Sequence, residues 1–301
     1  MSTLLSSWSK DVNTVPQKFV FPPEERPGDL PAPLCKGIPV IDLQQSGDLG
    51  MFQVINHGVS EELMDDTMSL FKEFIDMPEE DKASYFSDDT SKSFMLFAAS
   101  SNSNLNKKGN VTYWKDSLKH SCHPLEDHIQ SWPEKPARYR EVVGTYSLEV
   151  RKLSLRILDL ICEGLGIEEG YFADELSKTQ ALVVNHYPPC PNPSLVLGVS
   201  GHFDPNLLTI LQQEEYGLQM YKDEQWVGVE PLPHAFVINI ANQLELISNG
   251  MLKSAKHRAV TNSSIARTSI VTFIAPSREC VIEPAKALVK SSNPQLFKGV
   301  H

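Results

Sequence analysis

Two histidines and one aspartate have the types and spacing of a metal-binding site. His202 and Asp204 are separated by one residue, so on a β-strand both side chains project from the same face. His257, further along the chain, is the third candidate. Two imidazoles and one carboxylate on one face of a metal ion leave positions open for a co-substrate and for O₂, the arrangement of non-haem Fe(II) chemistry. The pattern predicts an Fe(II) site; a solvated pair at a strand end is the alternative for His202 and Asp204.

Two further residue pairs are suited to bind a dicarboxylate beside that metal. Arg267 and Ser269 are again one residue apart, and strand alternation would place both side chains on one face. Arginine binds a carboxylate through two parallel hydrogen bonds, and serine adds another donor. Asn185 and Tyr187 form a similar pair, with an amide and a phenol. A 2-oxo dicarboxylate that chelates iron through its oxo-acid end would need such anchors for its far carboxylate.

The composition limits the classes of protein to which the chain can belong. Of its 301 residues 41% are hydrophobic, which allows a packed core and one or two domains. With 27 Lys and Arg against 38 Asp and Glu, the formal net charge is −11, and no basic block is long enough to follow a nucleic-acid backbone. No apolar run approaches the ~18 residues of a membrane span, and the first twenty residues lack the apolar core of a secretory signal. The five cysteines are scattered and odd in number, which is typical of a reducing compartment. We therefore expect a cytoplasmic protein that binds neither nucleic acids nor membranes.

The elements that must position the candidate residues change character near residue 175. Before that point apolar residues recur with a helical period in residues 60–77 and 137–165. Residues 1–38 are expected to form an extended arm with little structure of its own, and residues 84–112 an irregular, exposed segment.

After Asp174 the period of the apolar residues becomes two, which indicates short strands. The strands are expected at residues 182–187, 207–212, 218–221, 226–229, 236–240 and 269–274. Such a succession favours a mainly β fold with flanking helices, of the α+β class, built on a sandwich or jelly-roll core.

Several motifs resemble those of plant 2-oxoglutarate- and Fe(II)-dependent dioxygenases. They are Asn185-His186-Tyr187-Pro188-Pro189-Cys190-Pro191, Gly201-His202-Phe203-Asp204, His257-Arg258-Ala259-Val260, Arg267-Thr268-Ser269 and Phe52-Gln53-Val54-Ile55-Asn56-His57-Gly58. The resemblance implies a double-stranded β-helix of the jelly-roll, cupin-like type, with the three candidate metal ligands on Fe(II) and no catalytic side chain beyond the metal centre. It implies that Arg267 and Ser269 bind 2-oxoglutarate and that Asn185 and Tyr187 contact it. Ascorbate is the expected reductant.

The resemblance also divides the chain into two regions. Residues 1–175 would form an N-terminal helical and mixed region, and residues 176–301 the jelly-roll. Asp42 and Phe52 are only ten positions apart, too close for a helix that relatives have there, and we expect the C-terminus to be abbreviated. A truncated, non-catalytic homologue is therefore one alternative.

Four more segments resemble hyoscyamine 6-dioxygenase and its relatives within that family. They are Tyr113-Trp114-Lys115-Asp116, Cys122-His123-Pro124-Leu125, Ser131-Trp132-Pro133-Glu134-Lys135-Pro136 and Ile282-Glu283-Pro284-Ala285-Lys286. They imply a monomeric enzyme that uses O₂ to hydroxylate or otherwise oxidise a small specialised metabolite. A dioxygenase of a flavonoid, coumarin or hormone is an alternative, as is an enzyme similar to aminocyclopropane carboxylate oxidase, which does not consume 2-oxoglutarate.

The charge of the substrate is predicted from the segment that precedes Tyr113. Residues 100–109 contain no acid and two lysines, so a cationic ligand gains nothing from them. We therefore expect a neutral or anionic substrate, with Lys115 as a contact at the rim of the pocket.

Overall fold

Two β-sheets face each other across a cavity, and helices cover the outer side of the larger sheet. The computed structural model describes residues 4–29, 32–35, 38–42, 50–97, 107–108 and 110–300. The strands are β1 (Val40–Asp42), β2 (Met51–Ile55), β3 (Phe94–Phe97), β4 (Lys107–Lys108), β5 (Val111–Thr112), β6 (Asp116–Ser121), β7 (Thr179–Tyr187), β8 (Val199–His202), β9 (Leu208–Gln213), β10 (Leu218–Lys222), β11 (Gln225–Gly228), β12 (Phe236–Ile240), β13 (His257–Ala259) and β14 (Arg267–Ala275).

The described helices are two long ones and several short turns. The α-helices are α1 (Leu5–Trp8), α2 (Glu61–Asp76), α3 (Glu79–Lys82), α4 (Leu125–His128), α5 (Tyr139–Leu165) and α6 (Asn242–Ile247). Turns of 3₁₀-helix lie at Ser9–Asp11, Gln17–Phe19, Pro23–Glu25, Ala83–Tyr85, Ile129–Ser131, Asp174–Ser177, Pro193–Leu195 and Lys286–Leu288. No helix among the described residues is both long and apolar enough to cross a lipid bilayer.

The larger sheet has eight strands in the order β1-β2-β12-β9-β14-β7-β6-β3, and the smaller has four in the order β11-β10-β13-β8. Apart from the parallel pair β1–β2, the neighbouring strands of both sheets are antiparallel. The predicted α+β fold with a jelly-roll core is confirmed.

Alternation along the strands gives the larger sheet two buried faces. Leu182 and Val184 of β7, with Ile270 of β14, belong to the core formed with α2 and α5. Their neighbours Val183 and Val271 point the other way and line the cavity between the sheets. Asn185 and Tyr187 of β7 share the cavity face with Val183, so the alternation turns these two polar side chains towards the cavity.

Helices α2 and α5 confirm the two predicted helical segments. Ser60 caps α2 by accepting a hydrogen bond from the backbone N–H of Leu63, as its residue type favours. The six predicted strands correspond to β7, β9, β10, β11, β12 and β14. The short strands β8 and β13, which carry the candidate histidines, were not predicted, because three or four residues show no usable periodicity.

Two predicted irregular segments are corrected by the structure. In the segment 1–38, Leu5 and Phe19 are fully buried against Trp114, because scattered apolar residues find partners through tertiary contacts that local pattern does not reveal. Within 84–112, Phe94–Phe97 is a buried edge strand paired with β6, and not an exposed loop. Most of the segment 100–109, which contains no acidic residue, lies outside the described residues. So do residues 43–49, where the chain is predicted to lack a helix that relatives have.

Candidate active site

The three predicted metal ligands come together at one end of the smaller sheet. His202 ends β8 and lies directly opposite His257, the first residue of β13, with their ring centroids 4.3 Å apart. Oδ1 of Asp204 lies 3.5 Å from Nε2 of His202 and 3.6 Å from Nε2 of His257. One ligand atom from each residue lies within 4.8 Å of the others. The donor set of two imidazoles and one carboxylate fits an Fe(II) ion with open positions.

Hydrogen bonds orient the histidine rings towards the cluster. Nδ1 of His202 donates to the carbonyl of Ser200 over 2.9 Å, and Nδ1 of His257 donates to that of Ala255 over 3.0 Å. A carbonyl can only accept, so these bonds place the proton on Nδ1 and leave the Nε2 lone pair for a metal.

The charges of the cluster also suit a divalent cation. Burial would raise the pKa of Asp204, but its interactions with His202 and His257 outweigh this effect and lower the pKa to about 2. Burial lowers the pKa of His257 below its ordinary value, although Asp204 partly opposes this. A charged carboxylate and a neutral imidazole are the forms in which these side chains bind a metal.

The residues predicted to bind the co-substrate lie opposite one another on neighbouring strands. In the antiparallel pair of β7 and β14, Arg267 faces Tyr187 and Ser269 faces Asn185. All four are buried and line the cavity. The guanidinium of Arg267 stands 5.0 Å from the centre of the Tyr187 ring.

Arg267 has no acidic partner among the described residues. Its Nε donates to the carbonyl of Glu215 over 3.0 Å and its Nη2 to Oε1 of Gln213 over 2.9 Å. Its Nη1 is buried without a hydrogen-bond partner in the described part of the chain. Burial lowers the pKa of Arg267, with Tyr187 opposing. A buried guanidinium with a free donor is costly unless a ligand supplies the acceptor, and a carboxylate is the acceptor that fits it best.

The cavity that joins these groups has a volume of about 510 Å³, within the range of small-molecule sites. It runs along β7 and β14 between the two sheets. Arg267 marks one end, and Phe273, which faces Thr209 of β9 close to the metal cluster, marks the other. Phe97, Leu211 and Val271 add apolar wall. The cavity therefore offers polar anchors and apolar walls to a small organic molecule.

Lys115 lines this cavity, but not at its rim. The residue is only 6% exposed, and its Nζ donates to Oδ1 of Asn185 over 2.8 Å. The hydroxyl of Ser117 donates to the same oxygen over 2.8 Å. Burial lowers the pKa of Lys115 to about 7. The predicted rim position is wrong, because the strand pairing of β6 with β7 carries the side chain inward.

Sequence reasoning missed three other residues of the site. Asn239 donates from Nδ2 to Oδ2 of Asp204 over 3.3 Å, Gln213 binds Arg267, and Lys119 lines the cavity beside Thr90. The only sequence signal was the alternation of Lys115, Ser117 and Lys119, of which the last two share one face of β6 and Lys115 directly precedes the strand. Nothing local marks Asn239 or Gln213, since both lie in strands whose partners are distant in sequence.

Comparison with family models gives two matches. Residues 178–276 match the 2OG-Fe(II) oxygenase superfamily, and residues 43–138 match the non-haem dioxygenase in morphine synthesis N-terminal family. One match lies in each half of the chain.

Curated plant proteins are similar over nearly the whole chain. Hyoscyamine 6-dioxygenase of Hyoscyamus niger is 45% identical, with 99% of this chain and 92% of that protein aligned. The 2'-deoxymugineic-acid 2'-dioxygenase of Hordeum vulgare is 38% identical, and flavanone 3-dioxygenase 2 of Oryza sativa subsp. japonica is 39% identical; each covers 95% of this chain and 87% of the relative.

One similar solved structure is the crystal structure of JOX2 in complex with 2OG, Fe, and JA. It superposes with a TM-score of 0.86 at 32% identity and covers 99% of this chain and 90% of the other. A dioxygenase for auxin oxidation from rice has a TM-score of 0.74 at 22% identity and shows the same fold.

Proposed function

The chain belongs to the 2OG-Fe(II) oxygenase superfamily and is a 2-oxoglutarate-dependent dioxygenase that uses Fe(II); we propose that it hydroxylates or otherwise oxidises a small specialised metabolite, as hyoscyamine 6-dioxygenase-like enzymes do. One observation carries the proposal. The cluster of His202, Asp204 and His257 opens onto a cavity that is also lined by Arg267. The side chain of Arg267 is buried and has no acidic partner among the described residues.

Each proposed role follows from a position in that cavity. We propose that the three clustered residues hold Fe(II) and that Arg267 and Ser269 bind the far carboxylate of 2-oxoglutarate. Asn185 and Tyr187 lie opposite that pair, where their side chains can orient the same co-substrate. Bidentate binding by arginine would fix the length and direction of the dicarboxylate relative to the metal cluster.

The bound iron and 2-oxoglutarate supply the activation of O₂, which is coupled to oxidative decarboxylation of 2-oxoglutarate to succinate and CO₂. The protein binds and orients the two organic molecules and excludes water with apolar residues such as Phe97, Leu211 and Phe273. The proposal needs no general base, so the metal centre is the only catalytic element.

The charges of the cavity bear on the substrate class. Among the described lining residues Asp204 is the only carboxylate, whereas four are basic, namely Lys115, Lys119, Arg258 and Arg267. Among these described residues a protonated amine such as hyoscyamine would find no free acid to offset the loss of its hydration. We therefore propose a neutral or anionic substrate, and Lys115, with two donors not used by Asn185, stays a proposed contact.

Three alternatives stand beside this proposal. The substrate could be a flavonoid, a coumarin or a hormone, and the names of the curated relatives are equally varied. The chain could also be a non-catalytic homologue, or act without 2-oxoglutarate as an aminocyclopropane carboxylate oxidase-like enzyme does. The unpaired donor of Arg267 favours a 2-oxoglutarate site over that last alternative.

The proposed setting is that of a cytoplasmic monomer with ascorbate as reductant, binding neither nucleic acid nor membrane. All five cysteines are free, in keeping with a reducing compartment. We retain the proposed division into an N-terminal region of residues 1–175 and a jelly-roll of residues 176–301.

The deciding experiment measures succinate released by the purified, Fe(II)-loaded protein. We expect release that requires 2-oxoglutarate and rises when a fitting substrate is added from a panel of alkaloid, phenolic and carboxylate-bearing metabolites. Oxidation of a substrate without 2-oxoglutarate would favour the oxidase-like alternative. No succinate under any condition, despite folded protein and bound iron, would favour the non-catalytic homologue.

A further inference from the structure

Strand β6 presents a row of hydrogen-bonding side chains to the cavity. Lys115, immediately before the strand, and Ser117 and Lys119 within it line the cavity. Leu118 and His120, which alternate with Ser117 and Lys119, are buried in the opposite direction. Of these three residues, the sequence predicted only Lys115 as a contact for the substrate. The fold shows that it is one end of a row.

The two lysines of this row lie at different levels of the cavity. Lys115 reaches Asn185, next to the pair of Arg267 and Tyr187. Lys119 pairs with Val183 of β7, which in turn faces Val271 of β14. Four residues along a strand span about 13 Å at roughly 3.3 Å per residue. Lys119 is therefore well separated from the proposed co-substrate anchor.

Lys119 is half-buried beside a mostly apolar wall and has no acidic partner. Its Nζ donates to the backbone carbonyl of Thr90 over 3.2 Å, a neutral acceptor. Burial lowers its pKa, and the positive charge of Arg278 lowers it further. No salt bridge to Lys119 occurs among the residues that the structure describes. An anion supplied by a ligand would offset the cost of holding this ammonium group there.

We propose that Lys119 binds a carboxylate of the prime substrate, and that the apolar part of that substrate packs between Phe97 and Phe273 on its way to the metal cluster. The inference rests on the proposed function and narrows it to carboxylate-bearing substrates. Lys119 then acts as a specificity-determining residue: it selects the substrate by its charge and leaves binding of 2-oxoglutarate to Arg267.

Three probes that share one skeleton test the inference. They are 4-phenylbutanoate, 4-phenylbutanamide and 4-phenylbutylammonium, which carry an anionic, a neutral and a cationic end. Binding is measured by anaerobic calorimetry on the Fe(II)- and 2-oxoglutarate-loaded protein. We expect the affinity for the carboxylate to be at least about tenfold higher than that for the amide, and the affinity for the ammonium to be the lowest.

Variants assign the effect to one side chain. Lys119→Met should remove the preference for the carboxylate over the amide, and Lys119→Glu should make the ammonium the tightest binder. Lys152→Met changes an exposed lysine on α5 that pairs with Glu149, and it should leave the order unchanged. A carboxylate preference that persists in Lys119→Met would overturn the inference.

The same titrations separate this inference from the proposed function. Affinity for 2-oxoglutarate, measured first, should be unchanged in Lys119→Met. A protein that binds no 2-oxoglutarate contradicts the proposed function. A protein that binds 2-oxoglutarate but does not prefer the carboxylate probe, or does not bind it, contradicts the role of Lys119 alone.

Discussion

Asn239 donates a hydrogen bond of 3.3 Å to Oδ2 of Asp204, while Oδ1 of the same carboxylate faces both histidines. The amide of Asn239 thus binds Oδ2 of Asp204 and leaves Oδ1, which faces the histidines, for a metal ion. Asn239 is 1% and Asp204 3% exposed, so this bond lies away from bulk solvent. Its orientation is set before any metal binds.

Removing that bond should weaken metal binding without removing a ligand. In Asn239→Ala we expect affinity for Fe(II), or for Mn(II) as an air-stable probe, to fall about 10- to 100-fold, the usual effect of losing a partner of a metal ligand. Calorimetric titration measures it. Asn249→Ala removes an equally buried amide that bonds to Pro294 and Leu296 outside the cavity, so it controls for lost stability. Equal metal affinities in the two variants would contradict the role of Asn239.

Loss of a proposed ligand should abolish both metal binding and turnover. We expect His257→Ala, His202→Ala and Asp204→Ala each to lose detectable succinate formation, since only three protein ligands are present, while far-UV circular dichroism stays that of the parent. His186→Ala is the matched control, because His186 is a partly buried histidine of β7 that bonds to Thr268 and is not among the residues that line the cavity. Turnover by His257→Ala with iron supplied would refute the assignment.

Arg267 should act on the co-substrate and not on the prime substrate. Replacing it with Ala removes a bidentate, buried contact, worth on the order of 2–5 kcal/mol when the partner charge is left unpaired. KM for 2-oxoglutarate should therefore rise far more than KM for the prime substrate. Arg267→Lys keeps the positive charge but loses the planar, two-pronged geometry of the guanidinium. Its KM for 2-oxoglutarate should therefore lie between those of the parent and of Arg267→Ala. Equal shifts of both KM values would show that Arg267 is not the anchor.

Lys115 should make the free energy of unfolding depend on pH in the neutral to alkaline range. Burial lowers its pKa from 10.5 to about 7, so between these values the unfolded chain holds a proton that the folded chain has released. Unfolding then takes up a proton, and the free energy of unfolding rises with pH by at most about 1.4 kcal/mol per pH unit. Urea titrations from pH 6.5 to 10.5 should show this rise in the parent relative to Lys115→Met. Parallel curves would show that Lys115 has an ordinary pKa in the folded protein.

The N-terminal arm should depend on Asp116. The carboxylate of this buried residue accepts hydrogen bonds from the backbone N–H groups of Leu5 and Ser6, over 2.8 and 2.9 Å. Asp116→Ala should lower the free energy of unfolding by roughly 1–3 kcal/mol and make the arm a site of proteolytic cleavage. Limited proteolysis followed by mass spectrometry locates the cut. Glu79 accepts a hydrogen bond from the hydroxyl of Ser7 at an exposed position and a long one, 3.4 Å, from the backbone N–H of Leu4, so Glu79→Ala should have a smaller effect.

The sequence alone was sufficient for the fold class, the two long helices and the proposed metal ligands. These depend on short-range patterns, such as the spacing of His202 and Asp204 or the helical period that became α5. Local pattern also paired Arg267 with Ser269, because strand alternation places residues i and i+2 on one face whatever the strand's neighbours are.

Only the tertiary structure decided what surrounds those residues. The depth of Lys115, the bond from Asn239 to Asp204 and the position of Lys119 all follow from the registers of β6, β7, β9 and β12, which pair segments far apart in the chain. The burial of Leu5 and Phe19 in an arm expected to be extended has the same origin. Desolvation and ion pairing depend on neighbours in space, and a strand's own sequence does not specify which strands will lie beside it.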